Sequence, residues 1–155
     1  MMEMAPVLPR RGEIYLAAVP FAAGQSSLRP STQDLTQSST AADFTTEVQF
    51  KLRPVLVVQA DAITGQPGYE YLLVAPIYTV HAQHRARPEY QALVAQQLPQ
   101  VFYLDRREQG VTHPSYVALA QLQLLHRSVF RERRGTMAPN EMRQIDERLR
   151  FCLGL

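Results

Sequence analysis

Apolar residues in this chain change their period several times, and each change marks an element. "GEIYLAAV" (12–19) alternates well enough for a half-buried strand. The pattern then stops over residues 22–49, which are rich in Ser, Thr and Gln. A stretch this long without a period reads as a functional or disordered loop, so a mobile flap is expected at about 22–50. "PVLVVQA" (54–60) is almost continuously apolar, which predicts a strand buried on both faces. "ITGQPGYE" is turn-rich. "YLLVAPIYTV" (71–80) predicts another buried strand, with Pro76 marking an end or a bulge. "RPEYQALVAQQLPQ" offers a short helix with Pro88 near its first turn. "VFYL" and "SYVALAQLQLL" read as strands separated by a "DRREQG" turn, and "RERRGTMA" as a short polar strand.

The last segment, "APNEMRQIDERLRFCLGL", switches to helical spacing. Met142, Ile145, Leu149 and Cys152 line one face. Pro139 suits the first helical position, Glu141 falls where the macrodipole favours an acid, and Gly154 suits the C-terminal cap. Asp146 and Arg150 are spaced for an i,i+4 ion pair. The sum is a mainly β domain with α decoration: a small antiparallel β-barrel closed by a C-terminal helix, with residues 1–155 forming one unit.

Composition changes this picture little, and charge distribution changes it more. The 155 residues are 46% hydrophobic, enough for a core, and the net charge is only +2. Residues 1–77 carry an acidic excess and residues 78–155 a basic one. Lys51 is the only lysine; every other cation is arginine. Arginine grips phosphate with a planar fork, which lysine lacks, although an Arg-rich codon bias produces the same count. The single cysteine excludes an internal disulfide. No signal-peptide pattern and no apolar run long enough for a bilayer are present, so a cytoplasmic protein is expected.

The order "RGEIYLAAV", "RPVLVVQAD", "LLVAPI", "SYVALAQLQLL" and a helix ending "FCLGL" resembles the MazF/PemK family of toxin endoribonucleases. The resemblance covers roughly residues 10–21, 51–80 and 114–155 and is strongest at "RRGEIY", "LRPVLVV" and the C-terminal helix. It implies an SH3-like barrel, a homodimer and metal-independent cleavage of single-stranded RNA, with no cofactor. It also implies an antitoxin partner that blocks the RNA groove. The catalytic arginine of the family's Arg-Pro motif carries over to Arg53. A threonine assists at the end of the next strand. Aligning "LLVAPI" without a gap puts Tyr78 at that place, whereas a bulge at Pro76 would put Thr79 there. Ala120, just before Gln121 of the late strand, stands where many relatives have an acid. The flap is longer than in relatives, and residues 81–99 are an extra segment or a rebuilt one.

The chemistry implied is attack of an RNA 2′-hydroxyl on the adjacent phosphorus, leaving 2′,3′-cyclic phosphate and 5′-hydroxyl ends. Arg53 suits stabilisation of the developing charge, and Pro54 pushes residue 53 towards extended backbone. It carries no acceptor and is not the general base. Tyr78 and Thr79 are candidate donors to the phosphate. His81 is a candidate proton carrier, since histidine titrates near neutral pH. The RNA-binding candidates are Arg11, Gly12, Gln59, Asp61, His84, Arg85 and Gln121. Arg131, Arg133 and Arg134 form a basic patch that extends the RNA track, meets an acidic antitoxin, or is a solvated face. No tight Asp/Glu/His cluster suggests a metal site. The displaced threonine and the missing acid keep open a catalytically degenerate barrel that binds antitoxin or nucleic acid. A gyrase poison of the related CcdB type ranks last, because the chain has no tryptophan for that group's terminal Trp-Gly-Ile.

Overall fold

The continuous apolar run after Pro54 is buried on both sides because it lies in mid-sheet. In the computed structural model, which describes residues 8–22 and 48–155, seven strands form one antiparallel sheet. They are β1 (Glu13–Ala22), β2 (Val48–Val57), β3 (Tyr71–Thr79), β4 (Val101–Leu104), β5 (Ser115–Ala118), β6 (Gln123–His126) and β7 (Phe130–Thr136). The order is β4-β5-β3-β2-β1-β7, with β6 also paired to β3. The expected mainly β architecture with a C-terminal helix is present. The sheet is barrel-like, but its path is open, since β4 and β7 end it without pairing.

Two cores follow from the alternation. Leu56 and Val58 of the β2 region, Ala75 and Ile77 of β3 and Val117 of β5 meet one face. Helix α4 (Pro139–Leu153) covers it with Met142 and Ile145, and Leu149 and Cys152 pack at the edge. Val55 and Val57, Leu72 and Val74, and Tyr15, Ala17 and Val19 occupy the opposite face with Leu125. Burying such side chains contributes about 1.5–3 kcal/mol each, so this two-sided packing dominates the fold.

Helix α4 begins as its sequence predicts. Pro139 lies in the first turn, and the Glu141 carboxylate accepts the Ala138 N–H (3.1 Å). Gly154 ends the helix in the left-handed region. The expected Asp146–Arg150 pair gives way to a tertiary one, because Arg11 takes the Asp146 carboxylate.

Three boundaries differ from the sequence reading. Strand β2 starts at Val48, well before the apolar run, because Val48–Leu52 pair with the second half of β1. There β1 and β2 form a two-stranded ribbon beyond the reach of β3 and β7. The single late strand is two: β5 pairs with the far half of β3 and β6 with its near half. Short helices α1 (Asp61–Thr64) and α2 (Ala82–Arg85) occupy connections that showed no helical period, whereas α3 (Glu89–Val94) is the short helix expected there, with Pro88 as its N-cap. Most of the predicted 22–50 flap lies outside the described residues.

Candidate functional site

Arg53 sits where the ribbon joins the broad sheet. Its β1 partner is Ala17, which is fully buried. Val55 pairs with Pro76 across β2–β3, and continuing that antiparallel register puts Arg53 opposite Tyr78. The Arg53 guanidinium carbon lies 4.4 Å from the Tyr78 ring centroid. A cation over a tyrosine face is favourable, by about 0.5–1 kcal/mol at an exposed site and more when desolvated.

The register also puts Tyr78 and Thr79 on different faces of the sheet. Strand β3 runs through Pro76 without an irregularity towards β2 or β5. Side chains therefore alternate, and Tyr78 shares the Arg53 face while Thr79 points to the other. The Tyr78 hydroxyl donates to Gln121 Oε1 (2.9 Å) from the turn after β5. Arg53, Tyr78 and Gln121 thus meet.

Sequence reading missed the other half of this row. Tyr116 of β5 stands opposite Tyr78, ring centroids 5.6 Å apart, and Tyr103 of β4 stands opposite Tyr116. One face presents Arg53, Tyr78, Tyr116 and Tyr103 in a line across four strands. Burial pushes the Tyr116 hydroxyl above its ordinary value of 10.0, Tyr78 adds to the rise, and Arg53 opposes it. Burial likewise raises Tyr103, with further contributions from Tyr90 and Asp105, while Arg85 of α2 opposes. Alternation in "VFYL" and "SYVA" was the available signal, but pairing those segments needs the tertiary register.

His81 and His84 follow β3 directly. The His81 N–H donates to His84 Nδ1 (3.2 Å), which folds the chain back into α2. His81 is exposed, whereas His84 is half-buried and lines a cleft with Tyr116.

The remaining candidates gather elsewhere. Arg11, Gly12, Gln59 and Asp61 cluster past the other end of β2, beyond the stretch from Arg53 to Val57, about 13 Å of strand. Their groups are used internally. Arg11 Nε–H donates to the Val58 carbonyl (3.0 Å) and its guanidinium meets Asp146, while its backbone N–H donates to Asp61 Oδ1 (2.8 Å). Gln59 is 7% exposed, and its amide serves Thr64, the Tyr71 carbonyl and the Leu73 N–H. The Gln59 side chain, expected to read base edges, is thus engaged within the fold. Gly12, at φ +89, joins the Val57 carbonyl to the Met137 N–H.

The late basic patch is partly neutralised: Arg133 pairs with Glu13 (3.1 Å) and Arg134 with Glu132 (2.8 Å). Arg127, Arg131 and Arg133 line a broad cleft with Tyr15 and Phe130. Among the described residues no group of three or more His, Cys, Asp or Glu could hold a metal ion. No described helix is long and apolar enough to cross a membrane.

The fold has close counterparts. An endoribonuclease from a mycobacterial species, solved in complex with its cognate antitoxin, superposes with a TM-score of 0.56 at 16% identity, covering 95% of this chain and 96% of that one. MazF from Deinococcus radiodurans gives 0.56 at 16% identity, covering 96% and 99%. Mycobacterium tuberculosis toxin MazF-mt6 gives 0.52 at 21% identity, covering 68% and 89%. No curated protein matches the chain. Residues 10–153 match the family described as PemK-like, MazF-like toxin of type II toxin-antitoxin system, and the chain belongs to it.

Proposed function

We propose that this protein is a toxin that cleaves single-stranded RNA without a metal, leaving 2′,3′-cyclic phosphate and 5′-hydroxyl ends. The observation that carries the reading is Arg53 held against Tyr78, with the Tyr78 hydroxyl fixed by Gln121. When the 2′-oxygen attacks, negative charge grows on the phosphoryl oxygens. Arg53 presents parallel N–H donors to that charge, and Tyr78 turns its O–H from Gln121 to a phosphoryl oxygen. Arg53 is held in place before reaction, so little reorganisation of that donor opposes catalysis, whereas Tyr78 exchanges its bond to Gln121 for one to the phosphate. His81, exposed just beyond β3, takes the 2′-hydroxyl proton and returns it to the 5′-oxygen as the bond from phosphorus to that oxygen breaks. Arg85 steadies a flanking phosphate.

Long single-stranded RNA incubated with purified protein in EDTA tests this. Discrete cuts with 5′-hydroxyl ends, lost in Arg53→Ala, are expected. A folded Arg53→Ala protein that cuts at the wild-type rate would overturn it.

A second reading has its own observation. Strand β3 carries no bulge at Pro76, so on the family resemblance Tyr78 falls where a threonine is expected, and Ala120 where many relatives have an acid. On that reading the barrel binds antitoxin or nucleic acid without turnover. Metal-free cleavage that depends on Arg53 would exclude it.

The toxin reading brings a cognate antitoxin and a second copy of this chain as partners, acting in the cytoplasm. The solved mycobacterial neighbour was captured with its antitoxin, which supports the first. Exposed apolar side chains support the second: Phe50 and Leu52 on the ribbon, and Phe151 and Leu153 at the end of α4. Sedimentation at micromolar concentration should give a dimer, and a monomer would count against it.

A further inference from the structure

Residues 80–98 fold over the far end of the tyrosine row, and the space they enclose has chemistry of its own. A cleft of about 240 Å³ lies between α2, α3 and β5. Its apolar lining includes Val80, Leu93 and Leu98. Tyr90 and Tyr116 supply aromatic surface. His84, Arg87 and Glu89 supply polar groups. This volume suits one planar heterocycle better than a drug-sized ligand, which takes about 300–1,000 Å³.

Tyr116 connects the cleft to the proposed reaction centre. One side of its environment is the cleft; another is the Tyr78 ring, 5.6 Å away, over which Arg53 stands. A strand of RNA with a phosphate at Arg53 therefore has an aromatic path to the cleft. Proteins read single-stranded RNA by splaying bases onto aromatic surfaces and bonding their edges. Arginine is the common partner of guanine O6 and N7. A glutamate carboxylate accepts from two parallel N–H groups, such as guanine N1–H and N2–H. Arg87 and Glu89 flank Pro88 at this cleft, and guanine alone among the four bases offers both patterns.

We propose that the cleft beneath residues 80–98 is a base-binding subsite that takes a guanine next to the cleaved phosphate. Tyr90 and Tyr116 supply the stacking surface, and Arg87 with Glu89 reads the base edge. The proposal deepens the RNA-cleavage reading and rests on it for the class of ligand.

The test uses binding without turnover. 2′-O-methyl heptanucleotides of uracil, with each of the four bases in turn at the centre, cannot be cleaved by 2′-oxygen attack. Affinities would be measured by fluorescence anisotropy, and contacts by amide chemical shifts of the labelled protein. The guanine oligonucleotide should bind about tenfold tighter than the others and shift the amides of residues 80–98 and Tyr116. Tyr90→Ala should weaken it about tenfold, the scale of one base–aromatic stack. Tyr90→Phe, which keeps the ring, should not. Glu89→Gln, an exposed change that leaves the fold alone, should bring the four affinities within about twofold. Equal affinities in the wild type, shifts confined to other surfaces, or a guanine preference that survives Glu89→Gln would each overturn the subsite. Cleavage that is absent or independent of Arg53, beside a guanine-selective cleft, would instead sink the catalytic reading and leave the subsite standing.

Discussion

Arg53 and Tyr78 face each other across β2 and β3, the guanidinium carbon 4.4 Å from the ring centroid. The contact holds the guanidinium over the ring; arginine characteristically stacks on aromatic faces as a plane, an arrangement that keeps its edge N–H groups for phosphate. Lysine keeps the charge but neither stacks as a plane nor forms a fork. Arg53→Lys should therefore behave nearer to Arg53→Ala than to wild type, with cleavage lowered about 10²-fold and the melting temperature little changed. Single-turnover cleavage in EDTA, beside a thermal melt, measures both. Near-full activity in the lysine variant would show that charge alone suffices.

The unbroken register of β3 separates two neighbouring hydroxyls. Tyr78→Phe removes the group on the Arg53 face and should slow cleavage by about 10- to 100-fold, the scale of a hydrogen bond to a charged group. Thr79→Ala, on the opposite face, should leave the rate within about twofold. The reverse ranking would mean that β3 slips by one residue when RNA binds.

Much of this was legible in the sequence, and the rest failed for a common reason. Continuous apolar runs announced β2 and β3, and the period of Met142, Ile145 and Leu149 announced α4. Both signals are local. Tyr116 and Tyr103 were invisible as site residues because only the β3–β5–β4 register brings them beside Tyr78. The internal partners of Arg11 and Gln59 were hidden for the converse reason. Polar residues at strand ends look available to a ligand until the fold supplies Asp146, Thr64 and Leu73 as partners.

Gly135 exposes a tight approach that no local pattern revealed. A Cβ there would lie 2.6 Å from backbone atoms of Glu108, Gln109 and Gly110, in the turn that β7 packs against. Backbone cannot step aside as a side-chain tip can. Gly135→Ala should cost about 1–3 kcal/mol. That is roughly 2–4 °C of melting temperature per kcal/mol for a chain of this size. Differential scanning calorimetry measures it, and an unchanged melting temperature would show that the turn and β7 are loosely joined.

Three tyrosines, two of them in the row, should set an alkaline limit on stability. Tyr116, Tyr103 and Tyr15 all have their hydroxyl pKa raised in the fold, with burial the largest cause in each. The unfolded chain releases these protons near 10.0, while the folded protein holds them to higher pH. Above that point the folded state binds more protons than the unfolded one, so raising the pH favours unfolding. Stability from these groups should be fully present below about pH 9 and decline as pH rises through and above about 10. Denaturant melts between pH 8 and 11 should show that decline, with tyrosinate absorbance appearing as the protein unfolds. Tyr116→Phe removes a titrating group without removing its ring, so its slope above pH 10 should be shallower than that of the wild type. Parallel slopes would assign the alkaline loss to other groups, and would mean that Tyr116 meets enough solvent to ionise in the folded protein.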